Sequence, residues 1–105
     1  MRTTKDYKDY VLEQLKVLNN IVCRPMMGEY LLYCDSILFG GLYDNRLLIK
    51  KVESNKKYDL SEEIPYDGAK SMYYLDNLED QEKVKKIILN TIKDLPKKKA
   101  NIERK

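Results

Sequence analysis

The sequence predicts an α+β domain in which an antiparallel β-meander sheet of about five strands packs against N- and C-terminal helices. Three observations lead there. Apolar segments at 26–34, 37–43 and 46–50 are separated only by the polar pairs Asp35-Ser36 and Asp44-Asn45. Connections that short allow antiparallel hairpins and little else, because a parallel crossover needs about a dozen residues or more. Stretches with apolar residues at three- and four-residue spacing flank the meander on both sides, and that period belongs to amphipathic helices. Finally, 105 residues suit one domain, and a domain of this size buries roughly two thirds of its unfolded surface.

The first helix starts at Thr3 or Thr4, whose hydroxyls can cap it, with Asp6 in the first turn where a carboxylate suits the helix dipole. Tyr7, Tyr10, Val11, Leu15 and Leu18 form its apolar stripe, and Asn19-Asn20 supplies the stop. A strand begins near Ile21, and Gly28 accommodates the sharp bend into the strand centred on Leu31-Leu32. Gly40-Gly41 interrupts an otherwise strong strand, which indicates a bulge or a close backbone approach. The sequence after it, Leu42-Tyr43-Asp44, is not that of a phosphate-binding loop. Beyond Lys51 the chain turns polar. A short helix is expected over residues 56–60 and a turn at Pro65-Tyr66-Asp67-Gly68, while Ser61-Glu62-Glu63 reads as a connection. Met72-Tyr73-Tyr74-Leu75 reads as a further strand of the same sheet. The last helix is expected to be capped by Asn77, with Glu79, Asp80 and Glu82 in its first turn. Its stripe is Val84, Ile87, Ile88, Thr91, Ile92 and Leu95, and Pro96 ends it.

Composition narrows the function. The net charge of +3 is unevenly placed: residues 97–105 hold Lys97, Lys98, Lys99, Arg104 and Lys105 against Glu103, a net +4, which leaves −1 for residues 1–96. Residues 1–96 are therefore read as one near-neutral domain and 97–105 as a basic tail, expected to be disordered. A nucleic-acid-binding fold would carry its basic face within the domain. Cys23 and Cys34 read as reduced small hydrophobes, although a disulfide across the hairpin is compatible with their spacing. With two cysteines and no histidine in the chain, a structural zinc site is not expected, and the general acid-base candidates reduce to carboxylates, lysines and tyrosines, none in a catalytic spacing. No enzyme activity and no cofactor are expected. No apolar run reaches the roughly 20 residues of a membrane span, and the N-terminus lacks a signal-peptide core, so the expected location is the cytoplasm, with no membrane partner.

The residues 24–30 (Arg24-Pro25-Met26-Met27-Gly28-Glu29-Tyr30), 38–44 (Leu38-Phe39-Gly40-Gly41-Leu42-Tyr43-Asp44) and 47–50 (Leu47-Leu48-Ile49-Lys50), with the later Met72-Tyr73-Tyr74, resemble the N-terminal domain of the TfoX/Sxy family of bacterial competence regulators. The similarity covers roughly residues 4–96, in matching order and spacing. It implies a secretion-chaperone-like α+β fold and a stand-alone domain, where full-length members continue into a C-terminal helical domain. No catalytic residues come with it.

The expected function is thus a non-enzymatic regulatory or protein-interaction module, with Arg24, Glu29, Tyr30, Tyr43, Asp44 and Arg46 as the candidate surface for a protein partner. Tyrosine and arginine are enriched at binding hot spots, and the chain has nine tyrosines. The alternative is weak, salt-dependent nucleic-acid binding through the basic tail. A sheet with open edges and one open face also favours pairing of identical domains. A homodimer is accordingly expected, with Tyr30, Leu32 and Phe39 as its buried positions.

Overall fold

The computed structural model describes residues 2–95. It is an α+β fold: a six-stranded antiparallel sheet with an N-terminal helix α1 (Lys5–Gln14) and a C-terminal helix α2 (Gln81–Asp94). The strands are β1 (Ile21–Met26), β2 (Glu29–Cys34), β3 (Ile37–Leu42), β4 (Leu47–Ile49), β5 (Ser61–Glu63) and β6 (Met72–Tyr74). Their order across the sheet is β1-β2-β3-β4-β6-β5, so the first four make the meander and β6 inserts between β4 and β5.

Three two-residue turns build the meander. Asp35 and Ser36 both have positive φ (52° and 68°), as do Asp44 and Asn45 (53° and 58°) and Met27 and Gly28 (52° and 87°). Two consecutive left-handed residues match the twist of the flanking strands, and Asn, Asp and Gly tolerate that conformation best. Gly40 and Gly41 combine both expected roles. The β2–β3 register shifts at Leu32/Tyr33, where Leu32 faces Gly40 and Tyr33 faces Leu38, leaving Phe39 as the extra residue of a bulge. A Cβ on Gly40 would also lie 2.8 Å from Ile49 Cα on β4, and closer still to the Leu48 carbonyl oxygen.

The core fills the side of the sheet that faces the helices. Leu32, Phe39, Leu42, Leu47, Ile49 and Tyr73 from the strands meet Val11 and Leu15 from the first helical segment and Val84, Ile87, Ile88 and Ile92 from α2. Burying the four aliphatic side chains of α2 contributes roughly 6–12 kcal/mol before conformational entropy is counted. Thr4 caps α1 by accepting a bond from Tyr7 N at 3.1 Å. The helix tightens into a 3-10 turn at Leu15–Val17, and Tyr10, expected in the stripe, stands 39% exposed at its margin beside Tyr7.

Four expectations are corrected. Ser61–Glu63 is a strand, β5, which raises the sheet from the five strands expected to six, although all three residues are polar. Pairing with Tyr74, Tyr73 and Met72 imposes it, so propensity gave no signal. The short helix is a 3-10 segment at Glu53–Tyr58, displaced from 56–60 because Asn55 is drawn into the core. Asn55 is fully buried, donating to the Ile87 carbonyl (3.1 Å) and Thr91 Oγ1 (3.0 Å) and accepting from Asn90 Nδ2 (3.1 Å). The cap of α2 is Asp80, accepting from Lys83 N. Asn77 instead accepts from Glu79 N in a turn, and between the two Leu78 plugs into the core. Finally, Leu32 and Phe39 are fully buried against the helices, so neither belongs to a dimer surface, while Tyr30 is half-buried at the margin of the same core. Cys23 and Cys34 are free thiols, because Cys23 pairs with Leu32 and Cys34 with Ile21. The tail residues Lys97, Lys98, Lys99, Arg104 and Lys105 lie outside the described residues.

Candidate functional site

Each strand side chain that alternates with the core points to the opposite face of the sheet. In β2 Leu31 and Tyr33 oppose Leu32, in β4 Leu48 opposes Leu47 and Ile49, and in β6 Met72 opposes Tyr73. These residues are apolar on a face that no helix covers. With Met26 and Leu38 they give that face an oily floor, and Met26, Leu31, Leu38 and Met72 line a groove of about 880 Å³. Pockets for small molecules and side chains fall in this size range.

One wall of the groove is the segment 64–71, which arches back over the sheet between β5 and β6 and contributes Pro65, Tyr66, Ala69, Lys70 and Ser71. Polar ties hold it at both ends. Arg46 Nε donates to the Tyr43 carbonyl at 3.1 Å, while its Nη1 pairs with the Glu63 carboxylate and its Nη2 reaches the Ile64 carbonyl. At the other end Lys51 Nζ donates to Glu62 Oε1 and Ser71 Oγ, each at 2.8 Å, and Ser71 Oγ donates to the same carboxylate oxygen. The hydrogen bond from Lys51, then that from Ser71, holds the Glu62 carboxyl below its ordinary value. Ala69 N donates to the Tyr66 carbonyl at 3.1 Å, which closes a turn over residues 66–69, one residue beyond the Pro65-Tyr66-Asp67-Gly68 expected.

Tyr43 forms the end wall. Its ring folds over Gly41, where a Cβ would lie 2.9 Å from the ring and 2.5 Å from the Tyr30 carbonyl oxygen, so the missing side chain is what seats it. Burial, then the neighbouring Tyr66 and Glu29, pushes the Tyr43 hydroxyl above its ordinary pKa. The Tyr43 and Tyr66 ring centroids are 6.2 Å apart. On the far side of this pair a second hollow of about 760 Å³ shares Met26, Tyr43, Pro65 and Tyr66 and adds Met27, Glu29, Asp44, Arg46, Ile64 and Asp67. Three large apolar side chains stand out of its rim: Met27 is 96% exposed, Tyr66 60% and Ile64 53%.

The charge of the two hollows differs. Lys50, Lys51 and Lys70 line the first, with no carboxylate among its lining residues. The second mixes Glu29, Asp44 and Asp67 with Arg46. Among the described residues, Lys51 is already paired with Glu62, whereas Lys50 and Lys70 form no ion pair.

Of the six residues the sequence put forward, the structure brings four to this end of the sheet and gives most of them internal tasks. Glu29 accepts from Thr3 Oγ1 (2.8 Å) and from Asp44 N (3.1 Å), and Asn45 N donates to Thr3 Oγ1 (3.2 Å), which clips the N-terminal segment to the β3–β4 turn. Tyr43 is a buried wall, and Arg46 is the tie just described. Arg24 lies apart on the edge strand β1, its guanidinium 5.8 Å from the centre of the Tyr33 ring, and Tyr30 packs on the core beneath Lys8. Sequence reasoning passed over the floor itself. Its signal was present in the uninterrupted apolar runs Tyr30-Leu31-Leu32-Tyr33 and Leu47-Leu48-Ile49, since a strand with one solvated face alternates instead. Among the described residues no group of three or more His, Cys, Asp or Glu side chains is placed to hold a metal, and no helix is long and apolar enough to cross a membrane.

No protein-family model matches the chain. A protein described as an uncharacterized 12.7 kDa protein in the trpE 5′ region of Spirochaeta aurantia is 32% identical over 83 residues, which span 77% of this chain and 72% of that relative.

Proposed function

The chain belongs to the family of the 12.7 kDa Spirochaeta aurantia protein, and from that premise we propose that it is a non-enzymatic protein-interaction module acting in the cytoplasm. In this reading it is a counterpart of the TfoX/Sxy N-terminal domain, and it receives its partner in the groove on the face of the sheet that the helices leave free. One observation carries the reading: Met26, Leu31, Leu38 and Met72 line an open apolar concavity walled by a segment that is tied down at both ends. A contiguous apolar surface of this kind, rimmed by polar groups, is the usual mark of a docking site. Two methionines in the floor suit it, because unbranched thioether side chains repack around different partners.

A random-peptide display selection against the folded domain tests the reading. Peptides that compete for one site are expected, with binding lost in Leu38→Glu and in Tyr66→Ser while circular dichroism shows both variants folded. Enrichment of peptides indifferent to both substitutions, or no enrichment at all, refutes the groove as the docking surface.

A further inference from the structure

We propose that the partner segment docked in this groove is an acidic amphipathic helix, a conclusion that rests on the interaction reading above and specifies its occupant. Its apolar face would cover Met26, Leu31, Leu38 and Met72, and its flanking carboxylates would meet Lys50 and Lys70.

Backbone hydrogen bonding selects a helix. The floor belongs to the interior of a sheet whose strands already pair with their neighbours in the order β1-β2-β3-β4-β6-β5. It offers side chains only. An extended segment laid across it would press its own N–H and C=O groups onto Leu and Met side chains without partners, and each such group is costly to bury. A helix satisfies those groups internally and presents only side chains, the helix-in-groove mode of recognition.

Charge selects acidity. The residues that line the groove include three lysines and no carboxylate, and among the described residues Lys50 and Lys70 are without an ion-pair partner. The same pattern argues against the other occupants. A second copy docked face to face would bring the two lysine sets together, because a two-fold interface opposes a patch to itself. Residues 97–105, with a net charge of +4, would meet the same repulsion. A single-stranded nucleic acid needs open aromatic faces on which bases stack. Here the floor is aliphatic and thioether, Tyr43 is only 7% exposed, and Tyr66 on the wall is the one open ring among the lining residues, so successive bases find no series of stacking platforms.

The test is fluorescence anisotropy of the full chain with three labelled peptides of about 18 residues that share one apolar helical face and carry acidic, neutral or basic flanks. The acidic peptide is expected to bind about tenfold more tightly than the basic one, a gap that narrows as salt screens the exposed pairs. Lys50→Glu/Lys70→Glu, two substitutions outside the core, should invert the order. Equal binding of all three peptides, still abolished by Leu38→Glu, overturns the acidic partner and leaves the interaction module standing. Binding by none of them overturns both. Tighter binding of an oligothymidylate that competes with the acidic peptide assigns the groove to nucleic acid. Self-association in sedimentation that Leu38→Glu abolishes assigns it to a second copy, and either result overturns the proposal.

Discussion

Gly40→Ala is the sharpest test of the architecture that supports the groove. The added methyl group would lie 2.8 Å from Ile49 Cα and closer still to the Leu48 carbonyl oxygen, where an unstrained carbon-to-oxygen contact is about 3.3 Å or more. Both obstacles are backbone, so no rotamer change relieves them. Strand β4 would have to move away, yet it is held by the pairs Gly40↔Ile49, Gly41↔Leu48 and Leu42↔Leu47 and by Lys50 N donating to the Phe39 carbonyl at 2.8 Å. Overpacking a well-filled site costs about 1–3 kcal/mol. With immobile neighbours the cost falls at the upper end, near 3 kcal/mol, and at roughly 4–8 °C per kcal/mol that lowers the melting temperature by about 12–24 °C. Gly68→Ala is the control: nothing lies within 4 Å of its Cβ position, and its φ of +86° carries the left-handed penalty alone, about 1–2 kcal/mol. Thermal melts followed by circular dichroism read both. A Gly40→Ala melt within a few degrees of the parent, or a loss smaller than that of Gly68→Ala, refutes the close approach of β3 and β4.

Three further outcomes follow from individual residues. Asn55→Ala removes three hydrogen bonds that tie the Glu53–Tyr58 segment to α2, at about 2–4 kcal/mol by urea titration, whereas Asn90→Ala removes only one of them and should cost about 1 kcal/mol; equal losses would contradict the network. The Tyr7 hydroxyl is pushed from 10.0 up to about 12, by burial first and by the nearby Tyr74 next. The folded state thus holds this proton more tightly than the unfolded one, so its contribution is intact below pH 10 and is lost as the pH rises from 10 to about 12; Tyr7→Phe should flatten that part of the urea-midpoint profile, and an unchanged profile would oppose the assignment. Burial raises the pKa of both thiols, and Cys34, 1% exposed and donating to the Asn19 carbonyl, should react with a disulfide reagent only on unfolding; labelling of native protein at the rate of free cysteine would show that the segment over Cys34 is open.

The meander was legible in the sequence because its turns are local chemistry. Asp35-Ser36 and Asp44-Asn45 tolerate the left-handed backbone that a two-residue hairpin demands, and no distant residue has to be known to read them. The stripe of α2 was legible for the same reason, its period being internal to the helix. Strand β5 was not, because Ser61–Glu63 becomes a strand through β6 and through the partners of Glu62 and Glu63, which lie 11 and 17 residues back at Lys51 and Arg46. The site was only half legible. Tyr43 and Arg46 were found by residue type, although their tasks are to wall and fasten the groove. Leu31, Leu38 and Met72 are illegible as a site because an apolar strand residue reads as core until the fold shows which face the helices leave bare.

The order of the strands also has a consequence during synthesis. Strands β1 to β4 join consecutive neighbours through two-residue turns, so they can pair as soon as residue 49 has left the ribosome. At that stage Leu32, Phe39, Leu42, Leu47 and Ile49 have no α2 above them, and the bonding edge of β4 awaits β6. Until β6 and α2 have emerged as well, the nascent chain is a half-clad sheet with a sticky rim, and that interval is when it is most open to association with other chains.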